Sequence, residues 1–372
     1  MKRVMMVGSA EQSAGGVSSV IKLIKKMPVW EEYSCYWLGT QIQRNYLWKL
    51  WYAVKSNIIA FFIMWKYSII HMHTTPDKLG LLIQLPVLLW AKCLRKKVIL
   101  HLHVGNQLKT KKNPLFVFCL KRADRIVFLA KKWENLFSIY YPEVNIPTAV
   151  IYNPVEDVDL FSSERECPQI NRKFDVNTFD AFMKQKEKRI MMAAWYNDNK
   201  APDVLLKAIR SLTLTISKRE GTEYLDGWKV DMLGNGEVER FKKMAEDMGL
   251  SDIVSFPGYV TGKEREEYFR KASIYCMCSY EEGFPMVVLE SWMYGINVVT
   301  TPVGGLPDVI EEGKNCLTFD FGDDEGLAKQ LLVLMDNAEK RREMAEYSLE
   351  FAINHFSMEK INEDLKELYS LL

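Results

Sequence analysis

Short β-rich runs alternate with amphipathic helical stretches twelve times along the 372 residues. Consecutive parallel strands need a crossover long enough to hold a helix, so this alternation predicts parallel sheets covered by helices on both faces. The first six runs are Arg3–Val7, Ser34–Leu38, Ser68–Met72, Val98–His103, Arg125–Leu129 and Ala149–Tyr152. An irregular, charged stretch from Asn153 to Lys188 reads as a linker. Six more runs follow at Arg189–Ala194, Lys229–Leu233, Ile253–Phe256, Ile274–Cys278, Asn297–Thr300 and Cys316–Phe319. The tail from Gly326 to Leu372 is helical, with Ser357 as a helix cap. A chain of this length exceeds one ordinary core. The expectation is two Rossmann-like α/β domains, residues 1–170 and 171–355, followed by a terminal helix over 356–372. Parallel sheets bind ligands beyond the carboxyl ends of their strands. Two such sheets facing each other would share one cleft.

Composition narrows the function classes. At 48% hydrophobic and 26% charged, the chain is ordinary globular protein. Seven Cys, an odd number without a C-x-x-C pair, argue against a disulfide framework and for a reducing, cytoplasmic compartment. Cys276 and Cys278 read as core. The opening residues carry no signal-peptide pattern, and the longest apolar runs, Ile58–Trp65 and Leu79–Ala91, are too short to cross a bilayer. Charge is distributed unevenly. Residues 1–132 hold 22 Lys and Arg against 5 Asp and Glu, a net of +17, while the remainder holds 27 against 43, a net of −16. A basic half implies an anionic partner: nucleic acid, a membrane surface or a phosphorylated lipid. No nucleic-acid-binding motif is present, so nucleic acid is set aside. The segment Arg44–Trp65 mixes Tyr46, Trp48, Trp51, Tyr52, Phe61, Phe62 and Trp65 with Arg44, Lys49 and Lys55. Such a helix suits either a core or the interface of an anionic membrane, and peripheral attachment to the inner face of the cell membrane is the corresponding expectation.

The chemistry-bearing stretch is Glu281–Glu290, EEGFPMVVLE. It follows a short apolar strand and combines an acidic pair, a Gly, a Pro at the expected first helical position and an apolar helix. Free N–H groups and the helix dipole make such an N-terminus an anion site. Carboxylates beside it accept hydrogen bonds from a polyol. An anion joined to a polyol describes a sugar nucleotide.

The spacing Glu282-x7-Glu290 around Gly283-Phe284-Pro285, with Gly304-Gly305-Leu306-Pro307-Asp308 after it, resembles the retaining glycosyltransferases of family 4 (glycosyltransferases group 1), which have the GT-B fold. That resemblance implies two facing Rossmann-like domains with an interdomain cleft. The C-terminal domain would bind the nucleotide sugar and the N-terminal domain the acceptor, and the last helix would cross back onto the first domain. It implies that Glu290 binds the ribose hydroxyls and that Glu282, with the amides of Gly283, Phe284, Pro285, Met286 and Val287 (Pro285 contributing no N–H), holds the sugar. Lys200, in MMAAWYNDNKAPDVLLKA, matches the family's diphosphate-binding Lys, but Trp195 stands where the family has Arg. The Gly15-Gly16 pair after the first strand resembles the family's N-terminal glycine loop. His103, in ILHLHVGN, matches its active-site His. Leu233-Gly234-Asn235-Gly236-Glu237 resembles a structural turn, and Pro257-Gly258-Tyr259-Val260 the loop near the nucleotide base.

Two patterns invite a metal reading. His71-Met72-His73 and His101-Leu102-His103 each place two imidazoles on one strand face, but no Cys or carboxylate cluster completes a shell. Asp157-Val158-Asp159 is a D-x-D, but it lies in a segment resembling the interdomain crossover and reads as structural. The expectation is therefore a metal-independent enzyme without a cofactor, the nucleotide sugar being a substrate with UDP and GDP both open. Its acceptor would be a saccharide or lipid-linked saccharide, in bacterial surface-polysaccharide synthesis. No second carboxylate suits a covalent nucleophile, so retention implies front-face attack. Two alternatives stay open: another GT-B activity such as a sugar-nucleotide epimerase, and a non-catalytic sugar or polyanion binder.

Overall fold

The computed structural model describes residues 2–10, 16–41, 46–103, 105–109, 113–158, 176–220 and 227–372. It divides into two compact units, Met1–Glu156 with His355–Leu372, and Asp157–Asn354. The division falls inside the stretch read as a linker. The expected boundary at 170/171 and Asp159 of the D-x-D lie outside the described residues.

The first unit carries β1 (Val4–Ser9), β2 (Tyr36–Gln41), β3 (Ile69–Thr74), β4 (Lys97–Leu102), β5 (Arg125–Phe128) and β6 (Thr148–Val150) in the order β2-β1-β3-β4-β5-β6. Every pairing is parallel. The helices between them are α1 (Gly16–Ile24), α2 (Pro28–Glu32), α3 (Tyr46–Ile63), α4 (Lys78–Cys93), α5 (Pro114–Leu120) and α6 (Lys131–Tyr140). All six expected strands form, with ends shifted by one to three residues. Strands β1 and β3 are buried along almost their whole length, as a sheet covered on both faces requires.

The second unit repeats the plan. After α7 (Val176–Met183) come β7 (Arg189–Tyr196), α8 (Pro202–Glu220), β8 (Lys229–Gly236), α9 (Val238–Asp247), β9 (Val254–Gly258) and α10 (Gly262–Lys271). Then follow β10 (Ile274–Met277), α11 (Met286–Met293), β11 (Asn297–Thr300), β12 (Cys316–Thr318), α12 (Asp324–Asp336) and α13 (Ala338–Phe356). The sheet order is β12-β11-β10-β7-β8-β9, again parallel throughout. One correction concerns the linker, which is not irregular throughout: α7 forms within it and buries Phe179 and Phe182 against Ala345 and Leu349 of α13. Its apolar residues outcompete the surrounding charge for the core.

The last helix, α14 (Met358–Ser370), belongs to the first unit. Ser357 caps it, its hydroxyl accepting from Lys360 N at 3.2 Å. Asn362 Oδ1 accepts from Val29 N at 2.8 Å, and Lys2 Nζ donates to Tyr369 O at 3.2 Å. Leu365, Leu368 and Tyr369 are buried beneath it. Among the described residues no helix is long and apolar enough to cross a membrane. The six described Cys are free thiols, with Cys276 and Cys278 buried in the second core; Cys167 lies outside the described residues.

Candidate active site

In each sheet the strand order reverses once, between β1 and β3 in the first unit and between β7 and β10 in the second. Loops that leave adjacent strands at such a point run to opposite faces and open a crevice. In the second unit these are the loops Asn197–Ala201 and Cys278–Pro285, 82 residues apart in sequence where Lys200 meets Glu282. Two backbone-directed bonds join them: Tyr280 N donates to Asn199 O at 2.8 Å and Asn199 Nδ2 to Glu281 O at 3.0 Å; Thr301 Oγ1, at the next strand end, donates to Ser279 O at 2.7 Å. Lys200 Nζ pairs with Glu282 Oε1, and Ser279 Oγ donates to the same oxygen at 2.9 Å. Ala201, buried and with φ of 46°, turns the chain from Lys200 into α8. A left-handed Ala costs roughly 1–2 kcal/mol, so the crevice holds local strain.

Glu290 sits on α11 and accepts from Arg265 Nη2 of α10 at 2.5 Å. Both carboxylates singled out by sequence thus carry a cation. Both also act on buried Tyr275: burial foremost, then the charges of Glu282 and Glu290, raises its hydroxyl well above the usual range. Sequence reasoning missed Arg265. Its helix, GKEREEYFRK, is charged all round, and nothing in that pattern shows which side chain faces the sheet.

The start of α11 differs from expectation by one residue. Pro285 is the N-cap, extended at φ −75° and ψ 108°, and Met286 opens the helix. Val288 N already bonds to Pro285 O, so the first free amides are those of Met286 and Val287. Phe284 is buried. The helix is anchored from below by the Trp292 indole, which donates to Asn315 O at 2.8 Å.

Behind the acidic loop, Gly305 N donates to Gly283 O at 2.9 Å. Gly304 has φ of +64°, and a Cβ there would stand 2.6 Å from Gly283 O and 2.8 Å from Glu282 O. Gly304→Ala must therefore move the backbone that aims Glu282. We expect it to destabilise the protein by about 1–3 kcal/mol, read as a lowered melting temperature. A melt identical to wild type would show that this contact does not hold the loop. Gly234, with φ of +141°, lies against Ala194 O, in keeping with a structural role for its turn.

Trp195, where an Arg stands in the resembling family, is 63% exposed near the end of β7. The neighbouring loop has a cation of its own: Arg240 of α9 donates to Asp198 Oδ1 and to Glu237 Oε2, both at 2.7 Å.

In the first unit, Gly16 opens α1, and Gly15 lies outside the described residues. The two His pairs form one column. The register sets His73 opposite His101, so all four rings project from one face of β3 and β4. Ring centroids are 4.7 Å apart for His71–His73, 4.9 Å for His73–His101 and 4.9 Å for His101–His103. His71 Nε2 meets His101 Nδ1 at 3.2 Å, and His73 Nδ1 meets His103 Nε2 at 2.8 Å. Tyr369 of α14 closes the column with its hydroxyl 2.8 Å from His71 Nδ1. Burial lowers every one of these imidazoles, His71 to about 3 and His103 to about 4, and holds them neutral. His71, His73 and His101 each offer a nitrogen within 4.8 Å of the others, the one group among the described residues with metal-like spacing. His71 and His101 already bond each other through one nitrogen apiece, and no anionic ligand joins the set among the described residues. His103, at the strand end, is half-buried, whereas the other three are buried.

Comparison with known proteins agrees with this geometry. Residues 174–351 match the family model "Glycosyl transferases group 1". A D-inositol 3-phosphate glycosyltransferase of Corynebacterium jeikeium is 34% identical over 173 residues, 46% of this chain and 41% of that protein. The lipopolysaccharide core biosynthesis glycosyltransferase LpsE of Rhizobium meliloti is 31% identical over 150 residues, 40% of this chain and 44% of that protein. The matches thus span less than half the length of these two relatives. Among solved structures, Anabaena Alr3699/HepE in complex with UDP-glucose superposes with a TM-score of 0.71 over 100% of both chains at 16% identity, a likeness of fold. The chain thus has the GT-B fold, and its residues 174–351 resemble a glycosyl transferases group 1 domain.

Proposed function

We propose that this protein transfers a sugar from a nucleotide-sugar donor to a saccharide or lipid-linked saccharide acceptor, with retention of configuration and without a metal ion. The observation that carries the reading is the Lys200–Glu282 pair at the β7/β10 switch point, beside the free amides of α11. The relatives named as glycosyltransferases and the UDP-glucose bound by HepE support it. In this reading the donor diphosphate takes Lys200 from Glu282. The freed carboxylate accepts hydroxyl hydrogen bonds from the sugar, while Lys200 and the α11 amides stabilise the charge that develops on the leaving phosphate. Glu290, released by Arg265, accepts from the ribose hydroxyls. His103 is neutral at pH 7, so it contacts the sugar as a hydrogen-bonding group and not as a cation. Gly15 and Gly16 complete the diphosphate contacts. The reaction belongs to bacterial surface-polysaccharide assembly, on an anionic membrane surface.

A thermal-shift panel of UDP-, GDP- and ADP-sugars, with and without EDTA, tests the donor site. A ligand at 100 times its Kd stabilises by about 2.7 kcal/mol. We expect one nucleotide class to raise the melt regardless of EDTA. No response to any of them would remove the donor-site reading. A second reading is favoured by exposed Trp195 in place of a cation: a sugar-nucleotide binder without transfer. It predicts the same shift with no product from any acceptor.

A further inference from the structure

Eleven of the twenty exposed large hydrophobic side chains among the described residues fall between Trp48 and Leu89. They sit there because α3 and α4 carry their apolar stripes outward. Helix α3 turns a seam of Ser56 and Ala60, continued by Met64 just beyond its end, towards the unit, all at 2% exposure or less. Its outer side carries Trp51, Val54, Ile58, Phe61 and Phe62, continued by Trp65, at 46–67% exposure and at spacings of one to four residues that keep them on one side. Helix α4 buries Leu81, Val87, Leu88 and Ala91 and exposes Leu79, Leu82, Pro86, Leu89 and Cys93, a second stripe at intervals of three and four.

The two stripes adjoin. Asn57 Nδ2 donates across to Ile83 O at 3.1 Å, Trp90 Nε1 donates to Phe61 O at 3.3 Å, and the Phe61 and Trp90 rings stack at 4.5 Å. Between the helices runs a groove of about 520 Å³ whose only polar lining residue is Asn57, and a second of about 350 Å³ lies past Phe61. The stretch of sequence that carries them is one-signed in charge: residues 33–123 hold fourteen Lys and Arg and a single acidic residue, Asp77. Lys66 sits over the Trp65 ring at 5.6 Å, and Lys96 Nζ donates to Trp65 O at 3.0 Å. Contiguous apolar surface rimmed by cations and aromatic rings matches a leaflet's hydrocarbon beneath anionic headgroups.

We propose that the α3–α4 face inserts into an anionic lipid leaflet, with the groove between the helices taking a hydrocarbon chain of a phospholipid. The proposal gives the membrane surface named above its residues. It is separable from the donor chemistry, because the test needs no nucleotide. Insertion differs from simple charge attraction in how it responds to salt. Raising ionic strength from 0.1 to 1 M shortens the screening length from about 10 to 3 Å and weakens approach, but does not expel buried side chains.

The test uses the full chain with phosphatidylglycerol vesicles, phosphatidylcholine vesicles and vesicles with brominated acyl chains. We expect sedimentation with the anionic vesicles that persists in part at 1 M salt, and quenching of tryptophan fluorescence by the brominated chains. The double variant Phe62→Glu, Leu82→Glu alters exposed positions and should keep its melting temperature while partitioning at least about tenfold less. Three outcomes would each overturn the proposal: no quenching by brominated chains, equal partitioning of wild type and variant, or a lipid-free dimer that the same variant dissociates, which would assign the face to a second copy.

Discussion

Lys200→Ala lowers sugar transfer at least about tenfold, a barrier increase of ~1.4 kcal/mol, and Glu282→Ala does the same. The two side chains meet in the structure; in the proposed mechanism the donor separates them, so each would lose one partner and gain a substrate contact. In that mechanism the Lys200 contribution grows as the glycosidic bond breaks, because negative charge builds on the leaving oxygen on the way to the transition state; its loss should appear in kcat more than in KM. In the proposed mechanism Glu282 acts on the sugar hydroxyls, so its loss should raise KM as well. The double variant should cost less than the sum of the singles, since both act on one bound donor. Both side chains are only partly buried, and in Lys200→Ala Ser279 still holds the Glu282 carboxylate, so the variants should fold. Wild-type turnover by a folded Lys200→Ala or Glu282→Ala protein would place the chemistry elsewhere.

The second large effect is on stability in mild acid. His71, His73 and His101 are buried and His103 is half-buried; all four are held neutral, with folded pKa values of about 3 for His71, about 4 for His103, and well below the usual value for the other two. Unfolded, each titrates near 6.5. Above that pH neither state carries the proton and the histidines contribute nothing to pH dependence. Below it the unfolded chain binds protons that the folded column refuses. Stability is therefore full above about pH 6.5 and falls as the pH drops towards 4, by up to about 1.4 kcal/mol per pH unit for each histidine. Four such groups remove a large share of a typical total stability of about 5–15 kcal/mol as the pH falls towards 5. The Tyr369–His71 bond is lost with it, which frees the end of α14. Melting temperatures between pH 7.5 and 5.0 measure this, and His101→Gln, which removes one titrating ring, should flatten the slope. A stability curve flat across that range would mean that the column accepts protons while folded.

All twelve strands were legible because a strand covered on both faces shows as a continuous apolar run bounded by charge or glycine, whatever lies around it. The acidic loop was equally plain: Gly283, Pro285 and Gly304 are residues whose backbone needs mark a turn directly in the sequence. Arg265 was not, because it is one of several cations on a helix without an apolar stripe, and only the rotation of α10 against the sheet decides that it meets Glu290. The histidines were read as two strand-end pairs. The β3–β4 register joins them into one column, and that register is set by packing and not by the four residues themselves. Helices α3 and α4 show the same limit. Their apolar periodicity was visible, but periodicity gives the width of a stripe and not its direction, and tertiary contact turned Ser56, Ala60 and Met64 inward.

The sequence alone thus determined the two parallel sheets, the strand-end placement of the motifs and, to within one residue, the entry of the helix after Phe284, since each follows from local periodicity or backbone restriction. The tertiary structure alone decided which charges meet, which rings stack and which apolar stripe faces water. Those depend on the relative rotation and register of elements tens of residues apart, a property that no local segment carries.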